Sequence, residues 1–564
     1  MNKSLMNGSI KCSLPMKVLF LKGKPRNTML LRNTVLLTAS FFWLWSALAG
    51  FAQTQVIRVS TEAEPIAKGN FEPTWQSLAQ YQVPDWFRNA KFGIWAHWGP
   101  QCQPEMGDWY ARGMYEQGGW QYKSHLTRYG HPSRFGFKDV INEWKAEKWN
   151  PEQLVALYKR TGAQYFFAMA NHHDNLDLWN SKYQEWNSTR VGPKKNIVDQ
   201  WAKAARKYQL PFGLSVHASH AWMWYETAQK ADTTGPYKGV SYDGKLTKAD
   251  GKGSWWDGLD PQQLYAQDHT LSTGYGWEWN NGCSIPSQEY CQKFFNRTMD
   301  LINQYNPDLL YFDDSVLPLH PVSDAGLKLA AHYYNHNMAT HKGKLQGVMF
   351  GKVLDDEQKK CMVWDVERGA PDKLQPLPWQ TCTCIGDWHY NRGRFADNSY
   401  KSAREVVLML IDIVSKNGNL LLNIPVRGDG SIDQREVETL TGIAAWMDIN
   451  KESIFNTRPW KTFGEGPTAQ STNPIDHAGF NEGKTRFSDK DIRFAQNKNL
   501  LYATIMGKPT EPVKIKALGS TKIKAIKMLG SNEVIKWSQA DGVLTIEKPN
   551  EIPNDIAVVF EIVS

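Results

Sequence analysis

Short apolar segments alternate with helix-forming segments from about residue 85 to residue 450, and this alternation is the strongest constraint on the fold. The intervening segments carry helix start and stop signals, such as Asn150 before Pro151. Strands that alternate with helices are typical of a parallel sheet covered by helices. We therefore predict an α/β fold with a (β/α)8-like barrel, whose strands lie at about 92–98, 164–170, 211–217, 308–314, 347–353, 361–367, 381–388 and 419–425.

The pattern changes after about residue 453, where short runs of alternating polarity replace the helix patterns. Such runs predict a C-terminal antiparallel β-sandwich, which either braces the barrel, as we favour, or binds carbohydrate. We place the catalytic barrel at 53–455 and the sandwich at 456–564. The barrel carries a Gly-, Trp- and Asp-rich insertion at about 222–286. Loops of that length are usually functional, and we expect this one to meet the leaving-group side of a substrate.

Residues 1–52 have the features of a secretory signal peptide, with or without an N-terminal extension. An uncharged run at 34–52 ends in small residues, and it follows seven basic and no acidic residues: Lys3, Lys11, Lys17, Lys22, Lys24, Arg26 and Arg32. An uncleaved anchor is the alternative, because the run nearly reaches membrane-spanning length. We predict export to the periplasm or the cell exterior, with no stable membrane span after cleavage.

Without this segment the chain is almost neutral, since 58 of the 65 basic residues remain against 57 acidic ones. Bulk charge therefore gives no support to a nucleic-acid partner. Cys283 and Cys291 are a candidate disulfide in an oxidising compartment. The cysteines have no Cys-x-x-Cys spacing, which argues against a zinc site. We expect no metal and no cofactor, and the oligomeric state stays open.

Two predicted strands end in carboxylates, at the barrel edge where α/β barrels build their active sites. Asp313 and Asp314 end the fourth strand. Because side chains alternate along a strand, Asp313 shares the face of Tyr311 and is the one we expect in the barrel lumen. On the sixth strand Glu367 lies nearest the rim, and Asp365 competes with it for the second catalytic role.

Histidines and a tryptophan stand at or just beyond the ends of other predicted strands, namely His97, His172, His173, His217 and Trp388. A single such histidine is more often structural, but several at one barrel rim favour a binding site. Imidazoles and carboxylates can hydrogen-bond hydroxyl groups, and the chain's 25 Trp offer aromatic faces to sugar rings. A pair of carboxylates fits glycoside hydrolysis, in which one attacks the anomeric carbon and the other protonates the leaving oxygen.

Taken together, the motifs resemble glycoside hydrolase family 29, the α-L-fucosidases. The resemblance covers about residues 75–455, through segments 86–94, 97–99, 108–112, 171–174, 307–313, 364–368, 378–383, 416–423 and 428–430. It implies a retaining exo-α-L-fucosidase with Asp313 as nucleophile and Glu367 as acid/base. It also implies a fucosylated oligosaccharide or polysaccharide as substrate. The sugar-binding residues that we predict are His97, Trp109, His172, His173, His217, Tyr311 and Trp388.

Two positions depart from the family pattern and leave the sugar open. A family Tyr in the third strand is replaced by Ser215 or Val216, and the Arg common after the fifth strand is not evident near Lys352. An α-L-galactosidase or another α-L-glycosidase is therefore an alternative. A catalytically inactive sugar-binding protein is a second alternative.

A metallohydrolase that uses His97, His172, His173 and Asp174 is a third alternative. We disfavour it because adjacent histidines on one strand point to opposite faces.

Overall fold

The computed structural model describes residues 56–475 and 479–564, so the predicted signal peptide lies outside the described residues. Eight parallel strands close into a barrel in chain order, and β8 pairs with β1. The strands are β1 (Phe92–Ala96), β2 (Tyr165–Met169), β3 (Phe212–Val216), β4 (Leu309–Phe312), β5 (Val348–Gly351), β6 (Val363–Glu367), β7 (Trp379–Cys384) and β8 (Gly418–Asn423). The predicted barrel is confirmed.

The strands form because their sequences are apolar enough to be buried on both faces, as parallel sheets require. Every residue of β2, for example, is buried. Helices surround the barrel, and the side chain of Asn150 caps one of them as predicted. The α-helices are Trp75–Leu78, Asp85–Ala90, Tyr110–Gly113, Trp120–Arg128, Phe137–Glu143, Pro151–Thr161, Ile197–Lys207, Ala221–Trp224, Pro261–Leu264, Gln288–Tyr305, Ala325–Thr340, Arg392–Ala396, Ala403–Ser415, Gln434–Asn450 and Pro467–Gln470.

Several predictions inside the barrel need correction. Strand β7 ends at Cys384, so Trp388 lies in the following loop rather than on the strand. Cys283 and Cys291 carry free thiols, and the predicted disulfide is wrong. Cys291 is buried within helix Gln288–Tyr305, whereas the Sγ of Cys283 lies 3.2 Å from the carbonyl oxygen of Gly276. Among the described residues, no helix combines the length and the apolar character needed to cross a bilayer.

The insertion is a folded structure rather than an open loop. It contains short helices such as Pro261–Leu264, and it buries Trp222, Trp224 and Trp256. These tryptophans therefore belong to the hydrophobic core that the insertion shares with the barrel, which a count of aromatic residues does not reveal.

Two antiparallel sheets follow the barrel, and they confirm the predicted C-terminal β domain. One has the order β13-β16-β11-β10-β9 and the other β12-β15-β14. The strands are β9 (Arg458–Glu465), β10 (Ile492–Asn497), β11 (Leu500–Ile505), β12 (Val513–Ile515), β13 (Ala525–Met528), β14 (Trp537–Ala540), β15 (Val543–Ile546) and β16 (Val558–Val563).

A buried charge network ties these sheets to the barrel. Asp412, on helix Ala403–Ser415, accepts hydrogen bonds from Arg493 Nε of β10 at 2.6 Å and from Lys416 Nζ at 2.7 Å. Burial acts to raise the pKa of Asp412, but Lys416 and Arg493 outweigh it and hold the pKa below its ordinary value. The network therefore stabilises the junction as long as all three groups stay charged.

We expect Asp412→Ala to lower the free energy of unfolding by about 3–5 kcal/mol, because it leaves Arg493 and Lys416 buried without their counter-charge. Urea denaturation followed by tryptophan fluorescence measures the loss. Asp356→Ala is the control, since Asp356 pairs with Lys359 on the surface and its side chain is 95% exposed. Equal denaturation midpoints for the two variants would show that the network does not stabilise the junction.

Candidate active site

A cavity of about 310 Å³ opens at the carboxyl ends of the barrel strands. This is the edge at which the sequence predicted a site. Its lining combines aromatic rings with groups that can be charged: Trp95, His97, Asp108, Trp109, His172, His217, Trp277, Glu278, Tyr311, Asp313, Asp314, Ser315, Lys352, Val353, Glu367, Trp388, His389 and Phe480.

Asp313 and Glu367 are both hydrogen-bonded to the ammonium group of Lys352. Asp313 directly follows β4, Glu367 is the last residue of β6, and Lys352 directly follows β5 between them. Lys352 Nζ donates hydrogen bonds to Asp313 Oδ1 and, at 2.7 Å, to Glu367 Oε2. Two carboxylates that share one donor lie within two hydrogen-bond lengths, at most about 6 Å apart at their nearest oxygens.

The surroundings of Asp313 keep it ionised. Its Oδ2 lies 3.2 Å from His173 Nε2 and 3.1 Å from His217 Nδ1, while Lys352 holds Oδ1. Burial acts to raise the pKa of Asp313, but the Lys352 ammonium and the two imidazole hydrogen bonds outweigh it. The pKa therefore lies well below its usual value, and the group is a carboxylate at neutral pH.

Glu367 lines the cavity, whereas Asp365 lies beneath its floor. Trp388 Nε1 donates to Glu367 Oε1 at 3.2 Å, so the loop after β7 orients this carboxylate. Asp365 accepts a hydrogen bond from Gln380 at 2.9 Å, and burial raises its pKa to about 6. Of the two candidates on β6, only Glu367 can reach a molecule in the cavity.

His97 and His172 present unused ring nitrogens to the cavity, as does His389, whose two nitrogens also have no hydrogen-bond partner among the described residues. Among the described residues, neither nitrogen of His97 has a hydrogen-bond partner. Burial holds the pKa of His97 well below its usual value, so its neutral ring offers one donor and one acceptor. The Nδ1 of His172 accepts from Gln101 at 2.8 Å, which leaves Nε2–H free to donate. The rings of His97 and His172 therefore suit hydroxyl groups.

His217 and Tyr311 line the cavity but use their polar atoms elsewhere. The nitrogens of His217 contact Asp313 and, at 3.0 Å, the hydroxyl of Ser215. The Tyr311 hydroxyl points to Asp365, 3.4 Å away. These two residues therefore offer ring surface rather than hydrogen bonds, and their predicted contact with a sugar stays a prediction.

Contrary to our expectation for a metal site, alternating strand faces do not separate the two adjacent histidines. His172 and His173 lie in a loop beyond β2, and their ring centroids are 4.5 Å apart. Ligand atoms of His97, His172 and His217 lie within 4.8 Å of one another, as do those of His173, His217 and Asp313. An ion at either set would have to displace existing hydrogen bonds of His217 or His172.

Sequence reasoning missed several residues of the cavity. The sequence offered a reason to select Lys352, because this residue stands at the strand end where the family pattern led us to seek an arginine. Asp108 lies within the motif 108–112 and His389 directly follows Trp388, but we assigned neither a role in the site; the Asp108 carboxylate accepts from the backbone N–H of His389 at 2.8 Å. Phe480 had no signal, because it comes from the chain beyond the barrel.

Comparison with known proteins identifies the family to which this site belongs. The sequence profile of the α-L-fucosidase family matches residues 58–452. The chain belongs to the α-L-fucosidase family. It is 25% identical to tissue α-L-fucosidase from Rattus norvegicus over 88% of this chain and 92% of that one. It is also 25% identical to the tissue enzyme of Homo sapiens, over 87% and 90% of the two chains.

Solved fucosidase structures share the fold. A Thermotoga maritima α-fucosidase in complex with fucose superposes with a TM-score of 0.64 at 24% identity, over 87% of this chain and all of that one. A Bacteroides thetaiotaomicron α-L-fucosidase of family GH29 gives a TM-score of 0.55 at 15% identity, over 88% and 98% of the two chains. The barrel with its C-terminal β domain is therefore the architecture of these α-L-fucosidases.

We expect Lys352→Met to move the acidic limb of the activity profile to higher pH by about 1–3 units. The depressed pKa of Asp313 keeps it ionised down to low pH, and removal of the adjacent cation raises that pKa. The carboxylate is then lost earlier as pH falls. Measurement of kcat/KM for an aryl α-L-fucoside between pH 3 and 8 gives the shift.

Lys360→Met is the matched control, because Lys360 is half exposed and pairs with Glu357 outside the cavity. Its acidic limb should coincide with that of the unaltered protein. An unshifted limb in Lys352→Met would contradict the electrostatic role assigned to Lys352.

Proposed function

We propose that this protein is an exported, retaining exo-α-L-fucosidase that releases terminal α-L-fucose from glycans. The observation that carries the proposal is the pair Asp313 and Glu367 on the shared ammonium of Lys352. Retaining glycosidases separate their carboxyl groups by about 5–5.5 Å, whereas inverting enzymes need a wider gap for a water molecule. Because Asp313 and Glu367 share one hydrogen-bond donor, their separation fits the retaining enzymes.

In the first step Asp313 attacks the anomeric carbon of fucose. A bond forms between its carboxylate oxygen and that carbon while the bond to the glycosidic oxygen breaks, and Glu367 transfers its proton to the departing oxygen. His173, His217 and Lys352 keep Asp313 ionised for this attack. The product is a covalent fucosyl ester on Asp313 and a free leaving-group sugar.

In the second step Glu367, now a carboxylate, accepts a proton from water. The water oxygen bonds to the anomeric carbon, and the Asp313 carboxylate departs, so the original configuration returns after two inversions. Trp388 holds Glu367 in place for both steps through its Nε1–H. Asp365 takes no part, because it lies below the cavity floor.

Sugar hydroxyls can form hydrogen bonds with the histidines of the cavity. Neutral His97 can both donate and accept, and His172 can donate from Nε2. His173 faces two acceptors, the carbonyl oxygen of His217 at 2.7 Å and Asp313. Burial lowers the pKa of His173, and a neutral ring can donate to only one acceptor. We assign this hydrogen to Nε2, which lies 3.2 Å from Asp313 Oδ2 and helps to keep that carboxylate ionised.

Two of the similar structures support this proposal. One shows the Thermotoga maritima α-fucosidase in complex with fucose. The other is described as a trapped covalent intermediate of the Bacteroides thetaiotaomicron enzyme. A covalent intermediate is what a double displacement produces. The N-terminal signal features of the sequence support export, so that the glycan substrates would lie in the periplasm or outside the cell.

We expect Asp313→Ala to lower kcat on 4-nitrophenyl α-L-fucoside by about 10³-fold or more, because the covalent step is lost. Sodium azide should restore part of the turnover, since the truncated side chain leaves space for an anion beside the anomeric carbon. Its product is β-L-fucosyl azide, which NMR identifies. Asp314→Ala is the control, because that carboxylate bonds Ser219 and His220 instead. Azide that stimulates both variants equally, or neither, would contradict the assignment.

We expect Glu367→Gln to lower kcat/KM strongly, by about 10²-fold or more, on fucosyl disaccharides, which need a protonated leaving group. The same variant should lose much less on 2,4-dinitrophenyl α-L-fucoside, whose leaving group departs without a proton. Asp365→Asn tests the rival candidate and should show no such dependence on the leaving group. If the leaving-group dependence appears in Asp365→Asn instead, Asp365 is the acid.

A further inference from the structure

A segment beyond the barrel extends the cavity edge beside Glu367. We call residues 479–483 the rim segment. Gly479 pairs with Glu367 in a parallel bridge, and Phe480 N–H donates to the Glu367 carbonyl oxygen at 2.8 Å. Two residues further on, Glu482 N–H donates to the carbonyl oxygen of Arg368 at 2.9 Å. The backbone of Phe480 is therefore fixed to the residue that we propose as acid/base.

Side chains anchor the rim segment as well. The amide of Asn481 exchanges two hydrogen bonds of 2.9 Å with the backbone of Ala370. The carboxylate of Glu482 accepts from Thr383 Oγ1 at 2.8 Å and pairs with Lys401 Nζ at 3.2 Å. With four such contacts, the rim segment is a positioned part of the cavity wall.

Phe480 occupies this wall in a conformation that costs free energy in the isolated protein. Its φ is 61°, in the left-handed region that bulky residues rarely adopt, and its side chain lines the cavity while 57% exposed. Trp109 is also a cavity residue with a φ of 61°, and it is 38% exposed. Strained, exposed aromatic residues at a cavity indicate a binding role.

The position of Glu367 determines which part of a substrate Phe480 can meet. The acid must reach the glycosidic oxygen, so the group beyond that oxygen lies on the Glu367 side of the cavity. Trp277 of the insertion instead packs against His173, with ring centroids 5.2 Å apart, on the Asp313 side. The insertion and the rim segment therefore approach the cavity from different sides, and the contact between the insertion and the leaving group that we expected stays a prediction.

We propose that Phe480 is the platform of the leaving-group subsite and stacks on the apolar C–H face of a pyranose. This inference rests on the proposed function, and it assigns part of the substrate specificity to the C-terminal β domain. The expected occupant is the sugar to which fucose is linked, since an uncharged ring offers a pyranose contact area without a specific hydrogen bond.

The test compares substrates with and without a leaving-group sugar. Phe480→Ala should lower kcat/KM by about five- to thirty-fold on at least one disaccharide of α-L-fucose linked to galactose or N-acetylglucosamine. For α-L-fucosyl fluoride its kcat/KM should stay within about twofold of that of the unaltered protein, because fluoride occupies no sugar subsite. Phe480→Tyr keeps the ring and should keep the disaccharide activity. Phe395→Ala is the matched control, since Phe395 is 40% exposed on helix Arg392–Ala396 away from the cavity.

The outcomes separate the subsite from the proposed function. If Phe480→Ala lowers kcat/KM equally for the fluoride and the disaccharides, or for no disaccharide, Phe480 does not form the subsite. The protein would still be a fucosidase. If the unaltered protein hydrolyses neither fluoride nor disaccharide, the proposed function fails, and the subsite with it. A loss in Phe480→Tyr as large as that in Phe480→Ala would also overturn the stacking role.

Discussion

The Lys352 ammonium joins the two carboxyl groups on which the proposed chemistry depends. Asp313 must be a carboxylate to attack, and the adjacent ammonium outweighs the cost of burying that charge. Lys352 hydrogen-bonds both Asp313 and Glu367, and those two carboxylates hold its pKa well above the usual value although burial acts to lower it. The arrangement depends on the barrel, because β4, β5 and β6 are neighbours whose ends bring the three side chains together.

The C-terminal β domain has two physical connections to this centre. The first is structural, through the buried charges of Arg493, Asp412 and Lys416. The second is the rim segment, which adds backbone hydrogen bonds to the end of β6 and brings Phe480 to the cavity. The domain therefore packs against the barrel and also supplies part of the cavity wall, while the bracing role that we favoured from the sequence stays a prediction.

Most of the barrel could be predicted because its signals are local. Apolar runs located all eight strands, and caps such as Asn150 set helix ends. The errors arise where side chains meet partners distant in sequence. Trp388 lies in the loop after β7 rather than on the strand, and its indole N–H bonds Glu367 of β6. Cys283 and Cys291 are close in sequence, yet the folded insertion gives their thiols separate environments.

The sequence by itself determined the barrel, the strand ends that carry Asp313 and Glu367, and the family motifs. Strand period and apolar content are properties of residues close in sequence, so they can be recognised before the fold is known. Only the tertiary structure decided that Lys352 joins the two carboxylates, that Asp365 lies below the floor, and that Phe480 reaches the rim. These contacts depend on which strands become neighbours and where a distant segment docks, and no local pattern encodes such distances.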